Sequence, residues 1–182
     1  MFPDNYFEFY DLPIAFYIDE AALRAAYLEF SREYHPDAFT LADDETKEKV
    51  EAITAYNNTA YKTLNDFDAR LAYILTIKGL ISTDEKAIQQ EKIDDFEFLS
   101  TMMELNEALM ELEFEPNAEK AKELHNQLII MKNEAFSEVK SILEQYNDSA
   151  ENTENLKKVK NFYKKSKYFL RISEKLSIFA ML

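Results

Sequence analysis

The chain has no cysteine in its 182 residues, which excludes disulfides, thiol nucleophiles and thiolate-bound metals. One glycine and four prolines are too few for an all-β fold, which needs turn residues about every 8–12 positions. The two histidines, His35 and His125, are far apart, and carboxylates alone are too common to define a ligand set, so neither a metal nor a cofactor is expected. No apolar run approaches the roughly 20 residues of a membrane-spanning helix, so no membrane partner is expected. The opening MFPDNYFEFY is aromatic and acidic, unlike a secretory signal or a transit peptide. A bacterial cytoplasm is therefore expected ahead of a mitochondrial matrix.

Positive charge is scarce too. The formal net charge is −14, and it is unevenly spread. Residues 1–80 carry 7 basic against 15 acidic groups, 81–150 carry 6 against 17, and 151–182 reverse the sign with 8 against 3. A duplex binder needs a basic face toward phosphate, so nucleic acid is not an expected partner. The basic final segment reads as a last helix whose lysines lie against acidic neighbours.

What is present is helix-forming sequence rich in Ala, Leu, Glu and Lys, so the fold class is all-α. A short helix is predicted over Asn5–Asp11. A second, N-capped by Asp19, runs from Glu20 to about Tyr34, with Leu23, Tyr27, Phe30 and Tyr34 in one stripe. Pro36 disfavours helical geometry at His35 and stops it there. A third helix spans DDETKEKVEAITAYNNTAYKTLND, with Val50, Ile53, Ala60 and Leu64 on its inner face. A fourth covers Phe67–Lys78, with Gly79 where a left-handed cap is wanted. These four make a first domain, 1–79, and polar residues 80–95 read as a linker. Residues 96–182 then form a three-helix bundle from segments at about 96–114, 117–146 and 152–178. Its middle segment carries Leu124, Leu128, Met131, Ala135, Val139, Ile142 and Tyr146 at the spacing of coiled-coil-like packing.

The chemistry-bearing feature is the turn in SREYHPDAFT. Taken alone, His35-Pro36-Asp37 reads first as a helix stop. Three further stretches accompany it: Asn58-x-Ala60-Tyr61-x-Thr63-Leu64, Arg70-x-x-Tyr73-x-Leu75 and the opening YFEFYDLP. Together with Tyr34-His35-Pro36-Asp37 they resemble the J-domain of chaperone partners. That resemblance implies a domain that is not itself an enzyme, whose His-Pro-Asp turn docks on a DnaK-type ATPase chaperone and promotes its ATP hydrolysis. Pro36 would hold the turn in one conformation, limiting the ordering cost of docking. Asp37 can accept a bidentate arginine, and His35 can donate a hydrogen bond or orient the loop. Arg24 and Arg32 are the basic residues of the second helix and complete the expected chaperone-binding set. The family often has a lysine after the aspartate; Ala38 stands there, so electrostatic steering should be weaker than usual. Arg70 is a candidate for an internal ion pair with an acid of the second or third helix.

No Gly/Phe-rich linker or zinc repeat follows. RLAYILTIKG, FLSTMMELNEALMELE and KYFLRISEKL extend the likeness over the whole length to HscB-type J-proteins of iron–sulfur cluster assembly, called Jac in fungi. Read without any family, Phe98, Met102, Leu105, Leu109 and Leu112 form one helical face. Leu99, Met103, Met110 and Phe114 form a second, bordered by Glu104, Glu107 and Glu111. Either the second face is also core, or it receives a partner with an apolar patch and basic surroundings. The resemblance implies the latter, with Leu99, Met103, Glu104, Glu107, Glu111 and Tyr168 binding an IscU-type cluster scaffold. Tyr168 lies off the stripe of Leu156, Val159, Tyr163, Phe169 and Leu170, which suits an exposed role. Ser100 stands where relatives often carry a larger apolar residue.

Two rival readings stay open at this point: delivery of another client or dimerisation through the bundle, and a degenerate J-domain in which Ala38 marks lost function. A hydrolase would require Ser31, four residues before His35, to act as a nucleophile, with nothing to suggest an oxyanion hole.

Overall fold

A computed structural model of the chain describes residues 2–82, 93–148 and 153–179. Among the described residues the regular structure is all helical: α1 Tyr6–Phe9, α2 Glu20–Glu33, a 3₁₀ turn Pro36–Phe39, α3 Asp44–Asn65, α4 Phe67–Ile77, α5 Phe96–Phe114, α6 Ala118–Gln145 and α7 Thr153–Ser177. The chain divides into two compact units, one of residues 1–79 with 146–152, the other of 80–145 with 153–182. Most of the expected linker, 83–92, lies outside the described residues.

Helix starts follow from short acceptor side chains placed where the first N–H groups lack partners. Asn5 accepts from the Glu8 N–H, Asp19 from Ala21 and Ala22, Asp43 from Thr46, Asp66 from Ala69, and Asp95 from Phe98. At the other end of α4, Gly79 adopts φ +69°, the left-handed conformation that ends a helix at least cost in glycine.

In the first unit α2 and α3 pack together, with Leu23, Val50, Ala60 and Leu64 buried between them and Phe7, Phe16, Leu71, Ile74 and Leu75 closing the core. Ile53 is only half-buried. A polar residue sits inside instead: Asn57, 2% exposed. The Tyr10 hydroxyl donates to Asn57 Oδ1 at 2.7 Å, while Asn57 Nδ2 donates to the Tyr27 carbonyl at 3.2 Å and to Ser31 Oγ at 3.1 Å. One amide thus ties α1, α2 and α3 together, and every group is satisfied, the condition under which a buried polar network rigidifies a core. Ser31 also donates to the Tyr27 carbonyl at 2.8 Å, so its hydroxyl proton is directed along α2 and not toward His35.

Arg70 is the second buried polar residue, 3% exposed. The expected acidic partner is replaced by backbone: Nε donates to the Phe16 carbonyl at 2.9 Å and a terminal nitrogen donates to the Leu64 carbonyl. The guanidinium therefore ends α3 by taking a carbonyl that has no helical partner, and holds the α1–α2 loop to it. Burial lowers its proton affinity, opposed by the charges of Glu20 and Asp66. Tyr73 is held similarly: its hydroxyl accepts the Tyr6 N–H at 2.9 Å, its ring stacks on Tyr6, and burial pushes its pKa up to about 12. Tyr146, expected on the inner stripe of α6, lies beyond that helix in the first unit, edge-on to Phe16 at 4.9 Å.

In the second unit, Phe98, Met102, Leu105, Leu109 and Leu112 of α5 meet Leu124, Leu128 and Ala135 of α6 and Phe169, Ile172 and Leu176 of α7. Near the end of α6, Leu143 is buried and the expected Ile142 only half so. One helical turn of about 3.6 residues beyond Val139 falls between 142 and 143, so either side chain can take the inward position, and here Leu143 does.

Asp95 combines its cap with a hydrogen-bonded ion pair to Lys165 at 2.8 Å. The Lys165 ammonium, with the Phe98 N–H, holds the Asp95 carboxyl below the ordinary carboxylate range. A carboxyl depressed by folding stabilises at pH values above its unfolded pKa of about 3.9, and that contribution is lost as pH falls through the folded value. Asp95→Asn should thus lower the thermal midpoint at pH 7, and the gap to the parent should narrow on acidification to about pH 3. A gap that stays constant with pH would reduce Asp95 to an uncharged cap.

Candidate functional site

Two surfaces, one in each unit, hold the sequence-predicted residues. In the first unit α2 ends at Tyr34, whose N–H still bonds to the Phe30 carbonyl at 2.9 Å. His35 follows with φ −67° and ψ 125°, the extended geometry that a residue before proline prefers. Pro36 opens the 3₁₀ turn, where its missing N–H costs nothing, and the Ala38 N–H closes back on the His35 carbonyl at 3.0 Å. Nδ1 of His35 accepts the Asp37 N–H at 3.3 Å, which leaves Nε2–H as the imidazole's free donor. The Thr54 hydroxyl donates to the Tyr34 carbonyl at 3.0 Å, pinning the approach to the turn against α3.

The turn is held by backbone while its side chains face water. The His35 and Asp37 side chains are 59% and 89% exposed, and their closest approach, Nδ1 to Oδ2, is 3.8 Å. The imidazole spends only Nδ1 within the turn, and the Asp37 carboxylate accepts no hydrogen bond among the described residues. Arg24 and Arg32 are exposed on α2, two turns apart with the 38%-exposed Leu28 midway, so a cationic and apolar strip leads to the turn.

In the second unit, α5 buries the first apolar face and leaves much of the second in water. Met103, Met110 and Phe114 are 65%, 55% and 87% exposed, and Glu104, Glu107 and Glu111 are exposed beside them. Glu111 pairs with Lys120 at the start of α6. Leu99 is half-buried, packed against the bundle core, and so is Tyr168. The Tyr168 ring meets Phe98 edge-on at 5.7 Å, while Phe169 is fully inside. Tyr168 is therefore less open than expected, and Leu170, expected on the inner stripe, is 49% exposed. Ile172 and Leu176, three and seven residues beyond Phe169, define the buried face of α7 and turn Leu170 outward.

One residue of this surface escaped the sequence reading. Phe96, 89% exposed, extends the strip to the first turn of α5. The signal was its spacing of three from Leu99 and seven from Met103, the same 3.6-residue period. Among the described residues no group of three or more His, Asp or Glu could hold a metal ion, and no helix is long and apolar enough to cross a membrane.

Comparison with known proteins bears on both units. Residues 94–177 match the family model described as the HSCB C-terminal oligomerisation domain. A protein of Acinetobacter baylyi named co-chaperone protein HscB homolog is 32% identical over 142 residues, covering 78% of this chain and 71% of that one. The crystal structure of human co-chaperone protein HscB superposes with a TM-score of 0.75 at 28% identity, covering 98% of this chain and 83% of that chain. Chaperone HscB from Vibrio cholerae does so with a TM-score of 0.71 at 26% identity, covering 95% and 96%.

Proposed function

The chain belongs to the HscB co-chaperone family, a J-domain followed by a C-terminal helical bundle, and from that premise we propose that it couples an iron–sulfur scaffold to an ATPase chaperone. The His35-Pro36-Asp37 turn engages a DnaK/HscA-type chaperone and stimulates its ATP hydrolysis. The observation that carries this reading is the exposure of His35 and Asp37 on a turn already held in shape by Pro36 and two hydrogen bonds. Such a turn loses little entropy on docking. It makes and breaks no covalent bond; it biases the partner between conformations by binding one of them better. Arg24 and Arg32 supply the positive charge of the face, and Ala38 adds none.

The bundle binds an IscU-type scaffold through Leu99, Met103 and Tyr168, with Glu104, Glu107 and Glu111 receiving basic groups around the partner's apolar patch. Exposed apolar groups inside an acidic rim have this interface chemistry. Binding both partners raises the local concentration of the scaffold near the chaperone. The cluster itself is cargo. The description of the matched model also assigns self-association to the bundle.

Alanine at Leu99, Met103 and Tyr168 should each weaken scaffold binding by on the order of 1–2 kcal/mol, measured by calorimetry with purified scaffold. Met103→Ala is the cleanest arm, since Met103 is 65% exposed and its loss should barely move stability. Leu99→Ala and Tyr168→Ala should also lower the melting temperature, because both pack on the core. Unchanged affinity in the triple variant would return these residues to a purely structural role.

A further inference from the structure

The strip of α5 assigned to the scaffold has a neighbour on one side, α7. Lys175 Nζ of α7 donates to Asn106 Oδ1 of α5 at 3.1 Å, and the Tyr168 ring meets Phe98 at 5.7 Å. These two contacts lay α7 alongside α5 and parallel to it, since the residue numbers rise together. Round α5 from Asn106, at about 100° per residue, Met110 and Met103 come roughly 40–60° on, and Glu107, Glu111 and Glu104 about 100–160° on. Asn106 is thus the α7 side of the strip, the exposed Met103 and Met110 are its crest, and the glutamates are its far side, where Glu111 pairs with Lys120 of α6.

The near side is cationic. Tyr168, Arg171 and Lys175 are spaced three and four, one stripe of α7, and Arg171 falls between the two contacts with α5. Arg171 and Lys175 are both exposed. Neither pairs with an acid among the described residues: Glu174, three residues beyond Arg171, makes no bond to it, and Lys175 spends its hydrogen bond on the neutral Asn106. Like charges four residues apart on a helix repel one another. In a chain of net charge −14, these two are nonetheless left uncompensated. A carboxylate brought by a partner relieves that repulsion and can take hydrogen bonds from both groups.

We propose that this α7 edge belongs to the scaffold-binding surface, with Arg171 and Lys175 receiving a carboxylate of the scaffold while Glu104, Glu107 and Glu111 receive its cations. Apolar contact at the crest is non-directional and does not by itself choose an orientation. A strip between edges of opposite sign does, because the reversed pose sets like charges together on both sides. The partner patch that fits is apolar at its centre, basic on one flank and acidic on the other. The inference rests on the reading of the bundle as scaffold-binding and adds two residues and the sense of docking.

Calorimetry of the full chain with purified scaffold tests it, at roughly 0.05 M salt, where surface charges are little screened. Arg171→Glu should weaken binding about tenfold, and adding Lys175→Glu should weaken it further. Lys158→Glu makes the same change of charge on the other side of α7, where Lys158 lines a small cleft against α6. That variant should keep its affinity within about twofold of the parent. Raising salt to roughly 0.5 M, which shortens the Debye length about threefold, should narrow the gap between the parent and Arg171→Glu. All three positions are exposed, and circular dichroism of each variant checks that its helices are retained. Binding that Met103→Ala weakens but both α7 reversals leave intact overturns the inference alone. Equal losses in Arg171→Glu and Lys158→Glu overturn it too, since net charge then suffices. Affinity untouched by Met103→Ala and by the reversals alike removes the scaffold from this face and takes the parent reading with it.

Discussion

Asp37→Asn and His35→Gln are expected to return a DnaK-type partner to its unstimulated rate of ATP hydrolysis, while leaving the chain's own melting temperature within about 2 °C of the parent. The two halves of this result have separate causes. Stability is spared because both side chains are exposed, and the internal contact at stake is one 3.3 Å bond from the Asp37 N–H to the imidazole. The backbone closure from Ala38 to His35 does not depend on either side chain. Stimulation is lost because an asparagine cannot offer two equivalent anionic oxygens to an arginine, and a glutamine cannot place a ring N–H at the same point. Steady-state phosphate release with and without the chain reads the effect. Stimulation that survives both substitutions would remove the turn from the mechanism, and the family reading of this surface with it.

Arg70→Met is expected to be the most damaging single substitution in the J-domain, costing roughly 2–4 kcal/mol. The change keeps a long apolar stem but removes the donors to the Phe16 and Leu64 carbonyls, both then buried without a partner. Arg70→Lys should recover only part of the loss, since one ammonium on a flexible stem does not reproduce a planar fork. Tyrosine fluorescence is the natural probe: there is no tryptophan, and 8 of the 11 tyrosines lie in residues 1–79. Denaturant unfolding should show an earlier midpoint in the variant. An unchanged midpoint would mean that the guanidinium only offsets its own desolvation. The same variant should weaken chaperone stimulation in proportion to the fraction unfolded, unlike the turn variants, which act with the fold intact.

The turn and the scaffold strip differ in how much of each could be read in advance. The turn was legible because its signals are local: Pro36 forbids helix at His35, and Ala38 closes the turn three residues on. The scaffold strip was legible as a pattern but not as a surface. Leu99, Met103, Met110 and Phe114 share one period, yet Met103, Met110 and Phe114 are in water while Leu99 leans on the core. Which of two apolar stripes a helix buries depends on where its neighbours stand, and periodicity is silent on that.

Sequence alone determined the helices, their ends and the place of the elbow between α2 and α3. Asn5, Asp19, Asp43, Asp66 and Asp95 each satisfy N–H groups two or three residues away, and Gly79 supplies a left-handed cap after α4, so the information lies within a single helical turn. Tertiary structure decided that Asn57 belongs inside, that Arg70 binds carbonyls instead of acids, that Leu143 displaces Ile142, and that Tyr168 leans inward while Leu170 turns out. These outcomes depend on groups brought together from distant parts of the chain, such as Tyr10 with Asn57 and Phe16 with Arg70. Burial energy is set by the neighbours a side chain finds, and no residue carries its neighbours in its own local sequence.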